Sequence, residues 1–97
     1  MTQTLINKLR EFFSTQPVEK AWLFGSYSRG EETENSDIDI LVKFAKDIPL
    51  GMKYFRMVSE LENLCSTRVD LVEEDMLDVR VQKYVNSDRI LIYERGY

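Results

Sequence analysis

Apolar positions recur along this chain with two different periods, and the difference divides the chain into helices and strands. Near the N-terminus apolar residues return every three or four positions, which predicts a helix over residues 2–16 that ends at Pro17. A second stripe with the same period predicts a helix over residues 50–65. The members of that second stripe are Tyr54, Val58, Leu61 and Cys65.

Short runs of β-branched and aromatic residues, bounded by turn-forming residues, predict strands. These runs cover residues 18–24, 37–44, 68–72 and 90–93. The first two strands are joined by a polar connection with room for one helical turn around Ser28, so we expect them to be antiparallel neighbours. A mixed helical pattern over residues 73–85 separates the last two strands.

Length and composition are those of one globular domain. With 97 residues the chain leaves almost no room for a second domain, so we expect residues 1–97 to form a single unit. Hydrophobic residues make up 43% of the chain, which is enough for one ordinary core and argues against intrinsic disorder.

Charge and residue counts exclude several classes of function. The formal net charge of −4 is opposite to that expected of a protein that binds DNA or RNA. There is no histidine, which excludes histidine-based triads and histidine-ligated zinc. Cys65 is the only cysteine, so no intrachain disulfide can form. We find neither a signal peptide nor an apolar run of membrane-spanning length, and we expect a cytoplasmic protein.

Two aspartates open the second predicted strand. Side chains alternate between the faces of a strand, so Asp37 and Asp39 point to one side while Ile38 and Ile40 point to the other. Carboxylates held this close repel each other unless a cation lies between them. Oxygen ligands of this kind suit Mg²⁺ or Mn²⁺.

The residues before this pair have the chemistry of a phosphate-binding loop. Gly25 allows the backbone to approach a ligand closely, and Ser26 offers a hydroxyl and an N–H group to phosphate oxygens. Arg29 has two interpretations, since its guanidinium could neutralise phosphate or could pair with acidic neighbours and brace the loop.

A third carboxylate lies in the middle of an apolar run, at Asp70. If the third strand lies beside the second, Asp70 joins Asp37 and Asp39 on one face, and the three could hold two divalent ions. Burying this charge would be costly unless it is paired or metal-bound. The alternative is that Asp70 faces solvent on an edge strand.

Together these segments resemble the minimal nucleotidyltransferases, within the DNA polymerase β-like nucleotidyltransferase superfamily. The resemblance rests on Gly25-Ser26, the ten intervening residues, Asp37-Ile38-Asp39, and then Val69-Asp70-Leu71. It implies an α/β (α+β) chain with the nucleotidyltransferase fold, a small mixed sheet with helices packed on it. Two departures are visible: Ser28 stands where the family commonly has alanine, and residues 65–67 lack the glycine that often precedes the third strand.

The resemblance also implies an activity, a cofactor and roles for six residues. A family member transfers a nucleoside monophosphate, usually AMP from ATP, to a hydroxyl group. Two Mg²⁺ ions, for which Mn²⁺ can substitute, would be held by the catalytic residues Asp37, Asp39 and Asp70. Gly25 and Ser26 would hold the triphosphate, with Arg29 as a further candidate for that contact.

The resemblance extends to a partner. Minimal nucleotidyltransferases commonly act as antitoxins that adenylylate a tyrosine of a HEPN-domain ribonuclease toxin. A chain this small has little surface left for a second substrate pocket, so an acceptor presented by another macromolecule fits. Two alternatives remain open: a non-catalytic nucleotide-binding module that blocks its partner, and a small-molecule transferase of the aminoglycoside-modifying type.

Overall fold

Three helices and four strands form the part of the chain that the computed structural model describes, residues 3–45, 51–76 and 88–96. The helices are α1 (Gln3–Ser14), α2 (Ser26–Arg29) and α3 (Gly51–Cys65). The strands are β1 (Val18–Phe24), β2 (Ile38–Phe44), β3 (Val69–Glu73) and β4 (Ile90–Glu94). A 3₁₀ turn over Glu74–Met76 follows β3.

The four strands form one mixed sheet in the order β3-β2-β1-β4. β1 pairs with β2 and with β4 in antiparallel fashion, whereas β2 and β3 are parallel. A parallel pair needs a crossover connection, and here α3 lies in the crossover between β2 and β3. The mixed sheet with packed helices agrees with the fold that the resemblance implies.

Helices α1 and α3 cover one face of this sheet and form the main core with it. Every second residue of β2 points to that face, which explains why Ile38, Ile40 and Val42 are fully buried. The helices contribute their apolar stripes to the same cluster. Its helical members with almost no exposed surface are Leu9, Phe13, Met57 and Leu61.

The opposite face of the sheet carries a smaller apolar cluster. Trp22 and Leu41 are register partners on β1 and β2 and are 8% and 0% exposed. The guanidinium of Arg89 lies over the Trp22 ring, 4.6 Å from its centre, and forms a 3.0 Å ion pair with Glu74. This face therefore has both apolar support and charged groups, and the carboxylates of the candidate site emerge from it.

Arginines secure the outer strand β4 to the rest of the fold. Arg10 of α1 donates a 2.7 Å hydrogen bond from Nε to the carbonyl of Ile92. Arg95, just after β4, donates to the carbonyls of Gln16 and Val18 at 2.6 and 3.1 Å. These charged donors satisfy carbonyls that regular backbone pairing leaves without a partner.

The predicted elements agree with the structure except in their details. All four strands are present, and the antiparallel pairing of the first two and the short helical turn between them are confirmed. The stripe predicted for α3 omitted Met57, which is buried, whereas Tyr54, Val58 and Cys65 are only partly so. The physical reason is that a helix buries a band wider than one line of side chains.

The predicted helix over residues 73–85 is wrong at its start. Glu73 is the last residue of β3, and the next three residues form a 3₁₀ turn; residues 77–85 lie outside the described part. The turn before β3, which lacks the expected glycine, is made by Ser66 with a φ of 55°. No helix in the described ranges is long and apolar enough to cross a bilayer.

Candidate active site

The two halves of the sequence motif meet because β1 and β2 are antiparallel. Phe24, the last residue of β1, is the register partner of Asp39 near the start of β2. Gly25 therefore leaves the sheet beside the Asp39 carboxylate, although the two are 14 positions apart in the sequence. A strand pair of this kind brings a loop and a carboxylate together without any further element.

Gly25 meets both requirements for which a glycine is needed. Its φ of 71° and ψ of −153° lie in a region that other residues essentially never occupy. A Cβ atom at this position would also collide with Oδ2 of Asp39. The backbone of the loop thus passes in direct contact with the carboxylate, an approach that only glycine permits.

Short-range hydrogen bonds fix the turn that follows. The backbone N–H of Ser28 and its hydroxyl both donate to the Gly25 carbonyl, at 3.1 and 2.7 Å. Gly30 ends α2 in the left-handed conformation, and the N–H of Glu31 donates to the Ser26 carbonyl at 2.9 Å. Ser28, where the family commonly has alanine, therefore adds a hydrogen bond that the sequence did not reveal.

Ser26 and Ser36 have different surroundings. Within the described residues the Ser26 hydroxyl has no hydrogen-bond partner, so it is available to a ligand. Ser36 accepts a 2.9 Å hydrogen bond from the Thr33 N–H and returns one from its own N–H to the Thr33 carbonyl at 3.0 Å. Ser36 thus forms the turn before β2.

Parallel pairing brings the third aspartate beside the second. Asp70 of β3 is the register partner of Asp39 of β2, and both side chains are on the sheet face opposite α1 and α3. Asp37 immediately precedes β2 and is exposed, Asp39 is half-buried, and Asp70 is exposed. The expectation that Asp70 joins Asp39 on one face is confirmed at the level of register. Asp37 lies before the strand, and its charge acts on Asp39.

Asp70 is exposed, so its charge needs neither a partner nor a metal to compensate for burial. Its two neighbours Val69 and Leu71 are buried against the helices, but Asp70 points to the open face, and β3 is an outer strand of the described sheet. Alternation between faces, rather than compensation of a buried charge, explains an aspartate inside an apolar run. The edge-strand position and the proximity to Asp39 are both present.

Electrostatics single out Asp39 among the three. Burial raises the pKa of the Asp39 carboxyl above its ordinary value, and the negative charges of Asp70 and Asp37 raise it further, against a smaller opposing effect of Arg29. Half-burial among like charges is a costly position for a carboxylate. A bound cation would relieve this cost.

The donor set suits a hard divalent cation, but the described side chains do not converge on one point. Among residues 3–45, 51–76 and 88–96, no three His, Cys, Asp or Glu side chains are close enough together to surround a metal ion. Carboxylate oxygens are nevertheless the ligands that Mg²⁺ and Mn²⁺ prefer, and the like-charge repulsion at Asp39 is what such an ion would neutralise. The chemistry of the residues therefore fits the ion.

Arg29 is engaged by carboxylates in this structure. Its Nη1 is 2.7 Å from Oδ2 of Asp88 and its Nε is 3.3 Å from Oε1 of Glu31. The hydrogen bond to Asp88 is the main reason why the pKa of Arg29 is raised. This geometry matches the bracing interpretation, and it also links α2 to the residue two positions before β4.

Two further titratable groups lie near or within the core. Burial, reinforced by the charge of Asp70, raises the pKa of the Tyr54 phenol, so this hydroxyl stays protonated and can donate. Burial raises the pKa of the Cys65 thiol to about 11, which leaves it protonated and unreactive near neutral pH.

Comparison with known families and structures gives a consistent result. The family described as "Polymerase beta, Nucleotidyltransferase" matches residues 7–97. Among curated proteins, the chain is 44% identical to the protein adenylyltransferase MntA of Thermococcus cleftensis over 85 residues, which cover 88% of this chain and 82% of that protein.

Solved structures extend the similarity to three dimensions. A chain in a crystal structure of a toxin–antitoxin with AMP-PNP superposes with a TM-score of 0.79 at 25% identity, covering 94% of this chain and 74% of that one. A chain in the complex of the tri-AMPylated HEPN toxin of Shewanella oneidensis with an MNT antitoxin gives a TM-score of 0.74 at 23% identity, with coverages of 98% and 74%. At 23% identity, the similarity to this second structure establishes the fold and nothing further.

Replacing Asp39 by asparagine should make stability less dependent on pH. The pKa of Asp39 is raised in the folded protein, so the wild type is favoured below the ordinary pKa of 3.8 and loses stability as pH rises through the raised value. Asparagine does not ionise, so Asp39→Asn does not undergo that loss of stability. We expect it to melt a few degrees above the wild type near neutral pH and to lose this advantage in acid, as measured by thermal unfolding across the pH range.

The control for this comparison is Asp75→Asn, which makes the same chemical change at an exposed position in the 3₁₀ turn. It should melt close to the wild type at every pH. An Asp39→Asn protein that melts at or below the wild-type temperature near neutral pH would contradict the electrostatic interpretation.

Alanine at Gly25 should be far more damaging than alanine at Gly30. Both glycines have a φ close to 70°, but only at Gly25 does a Cβ meet Asp39, whereas at Gly30 it meets nothing. From the cost of forbidden backbone regions and of overpacking we expect Gly25→Ala to lower the free energy of unfolding by about 2–4 kcal/mol. Gly30→Ala, in the left-handed region, should cost about 1 kcal/mol.

Chemical denaturation measures both losses. In a background carrying Asp39→Ala the collision is removed, so the additional cost of Gly25→Ala should become smaller than in the wild type. Equal losses for Gly25→Ala and Gly30→Ala would show that the contact with Asp39 is unimportant.

Proposed function

Since the chain belongs to the polymerase beta nucleotidyltransferase family, we propose that it transfers AMP from ATP to a hydroxyl group of a protein partner. The observation that supports this proposal is the direct approach of Gly25 to Asp39, because the loop that we propose binds phosphate then lies against the carboxylate that we propose binds metal. The 44% identity to a protein adenylyltransferase supports protein as the acceptor class.

In this reaction the acceptor oxygen forms a bond to the α-phosphorus of ATP. The bond between that phosphorus and the bridging oxygen of the β-phosphate breaks, pyrophosphate leaves, and the hydroxyl proton is released. The similarity to a toxin–antitoxin structure with the ATP analogue AMP-PNP supports ATP as the nucleotide. Catalysis of such a displacement consists mainly of positioning and charge neutralisation.

Each candidate residue has one task in this proposal. Gly25 and Ser26 hold the triphosphate through the loop backbone and the free hydroxyl of Ser26. Asp37, Asp39 and Asp70 would hold two Mg²⁺ ions, for which Mn²⁺ could substitute. When bound, these ions neutralise the charge of the triphosphate and the leaving pyrophosphate. Asp70 is exposed on an outer strand, so the acceptor can approach from that side of the sheet.

In this proposal the main role of Arg29 is to brace the loop, and binding of phosphate is a secondary role. It is paired with Asp88 and Glu31, and its side chain is still 42% exposed. A triphosphate held at Gly25 would lie within the same loop, and guanidinium binds phosphate and carboxylate with the same planar fork. Contact with phosphate would therefore require exchange of one carboxylate partner.

The acceptor we propose is a tyrosine of a HEPN-domain ribonuclease toxin, which makes this protein an antitoxin. The similarity to chains from toxin–antitoxin structures and to MntA supports the assignment. A single cysteine fits a reducing compartment, so we place the pair in the cytoplasm.

The group transferred to the acceptor should contain the α-phosphate of ATP. With Mg²⁺, a purified toxin and ATP labelled at the α-phosphorus, we expect label on the toxin and pyrophosphate in solution. Asp39→Asn should lower the rate by at least about 10³-fold, because the variant lacks the negative charge that would hold the ions that neutralise the triphosphate. Ser26→Ala should cause a milder loss, since the loop N–H groups remain.

The matched control is again Asp75→Asn, which should react at the wild-type rate. Label transferred from the γ-phosphate would show a kinase and overturn the proposal. Rapid modification of a small molecule, with none of the protein acceptor, would favour the aminoglycoside-type alternative.

The antitoxin role should depend on turnover. We expect cells that produce the toxin together with wild-type protein to grow, and cells with the Asp37→Asn/Asp39→Asn double variant to arrest, because a non-catalytic protein leaves the toxin unmodified. Toxin recovered from growing cells should carry the mass of AMP on a tyrosine and stay inactive after the two proteins are separated.

Soluble yield and circular dichroism of the double variant show whether it is folded, so arrest can be attributed to lost chemistry. If cells grow with a folded double variant that is present at one-to-one stoichiometry with the toxin, the protein is a steric inhibitor and the catalytic proposal is wrong.

A further inference from the structure

The hydrogen-bond pattern between β2 and β3 determines which backbone groups of β3 face outward. The N–H of Ile38 donates to the carbonyl of Arg68 at 2.9 Å, so even-numbered residues of β3 direct their backbone groups toward β2. Odd-numbered residues, Val69 and Leu71 among them, direct theirs away from β2. Since β3 is an outer strand of the described sheet, these groups have no strand to pair with.

Two polar side chains of α3 occupy the outward-facing groups. The hydroxyl of Tyr54 donates to the carbonyl of Leu71, and Oε2 of Glu62 accepts a 3.2 Å hydrogen bond from the N–H of Val69. The two side chains are eight positions apart on α3, about two helical turns, so they contact β3 at two different points along the strand. Asp70 is the residue between the two contacts.

The outer edge of β3 is where added support can act, because pairing with β2 and the buried Val69 and Leu71 hold the strand from the other sides. The side chain of Asp70 is exposed, so burial does not fix it, and β3 is only five residues long. The charge of Asp70 repels that of Asp39 on the neighbouring strand, which favours separation of the two strands. Short outer strands, paired on one side only, are among the first parts of a sheet to open.

We propose that Tyr54 and Glu62 are positioning residues, which hold β3 from its outer edge so that Asp70 stays level with Asp39. Neither side chain contacts the reacting groups; both act through the backbone on either side of Asp70. The proposal rests on the proposed function for the role of Asp70 in transfer, but the restraint of β3 is a property of the fold that can be measured without it.

The contacts predict which substitutions matter. Tyr54→Phe keeps the ring, and with it the packing of this side chain on the core, but removes the donor to Leu71. Glu62→Ala removes the acceptor for the Val69 N–H, whereas Glu62→Gln keeps an amide oxygen that can accept the same bond. The control is Tyr93→Phe, which removes a tyrosine hydroxyl from β4, at the opposite edge of the described sheet.

Amide hydrogen exchange tests the restraint directly. We expect Tyr54→Phe and Glu62→Ala each to speed exchange of the Asp70 and Val72 amides, which face β2, by roughly 3- to 10-fold, the effect of one lost hydrogen bond. Amides of β1, such as that of Leu23, should stay within about twofold of the wild type. Glu62→Gln and Tyr93→Phe should leave β3 exchange as in the wild type.

The consequence for the site is tested with Mn²⁺ and with the transfer reaction. Binding of Mn²⁺ alone, followed by its paramagnetic resonance signal, should weaken several-fold in Tyr54→Phe and in Glu62→Ala. With ATP and the toxin, kcat should fall roughly 10-fold while KM for ATP changes less than about twofold, because a misplaced group affects the transition state more than nucleotide binding.

Three results would overturn the proposal. Unchanged exchange of Asp70 and Val72 would show that the α3 contacts do not restrain β3. An equal increase throughout the sheet would show a general contribution to stability. Selective loosening of β3 with wild-type Mn²⁺ binding would show that the position of Asp70 does not matter. A wild-type protein without transfer activity would refute the proposed function alone, since exchange and Mn²⁺ binding would still decide this inference.

Discussion

Backbone pairing of β2 with a different neighbour on each side is the constraint on which the rest of the structure depends. The antiparallel pair with β1 brings the Gly25 loop to Asp39, and the parallel pair with β3 brings Asp70 to the same residue. Alternation along β2 then sends its apolar residues to the helices and its aspartate to the open face. A single seven-residue strand thus joins the core to the candidate site.

This arrangement separates the groups that stabilise the protein from those that carry its chemistry. The helix-covered face contains the larger apolar cluster, whereas the open face holds a carboxylate whose pKa is raised by burial and by like charges. Such a carboxylate lowers stability until a cation neutralises it, and the core on the far side offsets that cost. Because the two faces share a backbone but few side-chain contacts, residues on one face can change with little effect on the other.

Local patterns allowed most of the fold and the proximity of the candidate residues to be predicted. The Gly25-Ser26 and Asp-x-Asp segments were recognisable because turn formation and strand alternation depend on residues that are close together in the sequence. The pairing of Arg29 with Asp88 and the packing of Arg89 on Trp22 were not, since those partners are 59 and 67 positions apart and follow no period. Long-range contacts of this kind depend on how elements pack, which no local pattern records.

The same limit explains the errors. Asp70 was expected to be a costly buried charge because its neighbours in sequence are apolar, but one-residue alternation put it on the other face. The contacts that Tyr54 makes at the edge of β3 were missed because the residue was assigned to the apolar stripe of its helix. A tyrosine can do both, with its ring in the core and its hydroxyl on a backbone carbonyl.

The occupied edges of the sheet limit how another protein can recognise this one. Tyr54 engages the outward carbonyl of Leu71 on one outer strand, and Arg10 engages that of Ile92 on the other. An incoming strand would have to displace these side chains before it could extend the sheet, so association by strand addition is opposed at both ends. Recognition must then use side-chain surfaces, whose composition can diverge while the backbone stays the same. The choice of partner can therefore change through surface substitutions alone, with the backbone of the sheet unaltered.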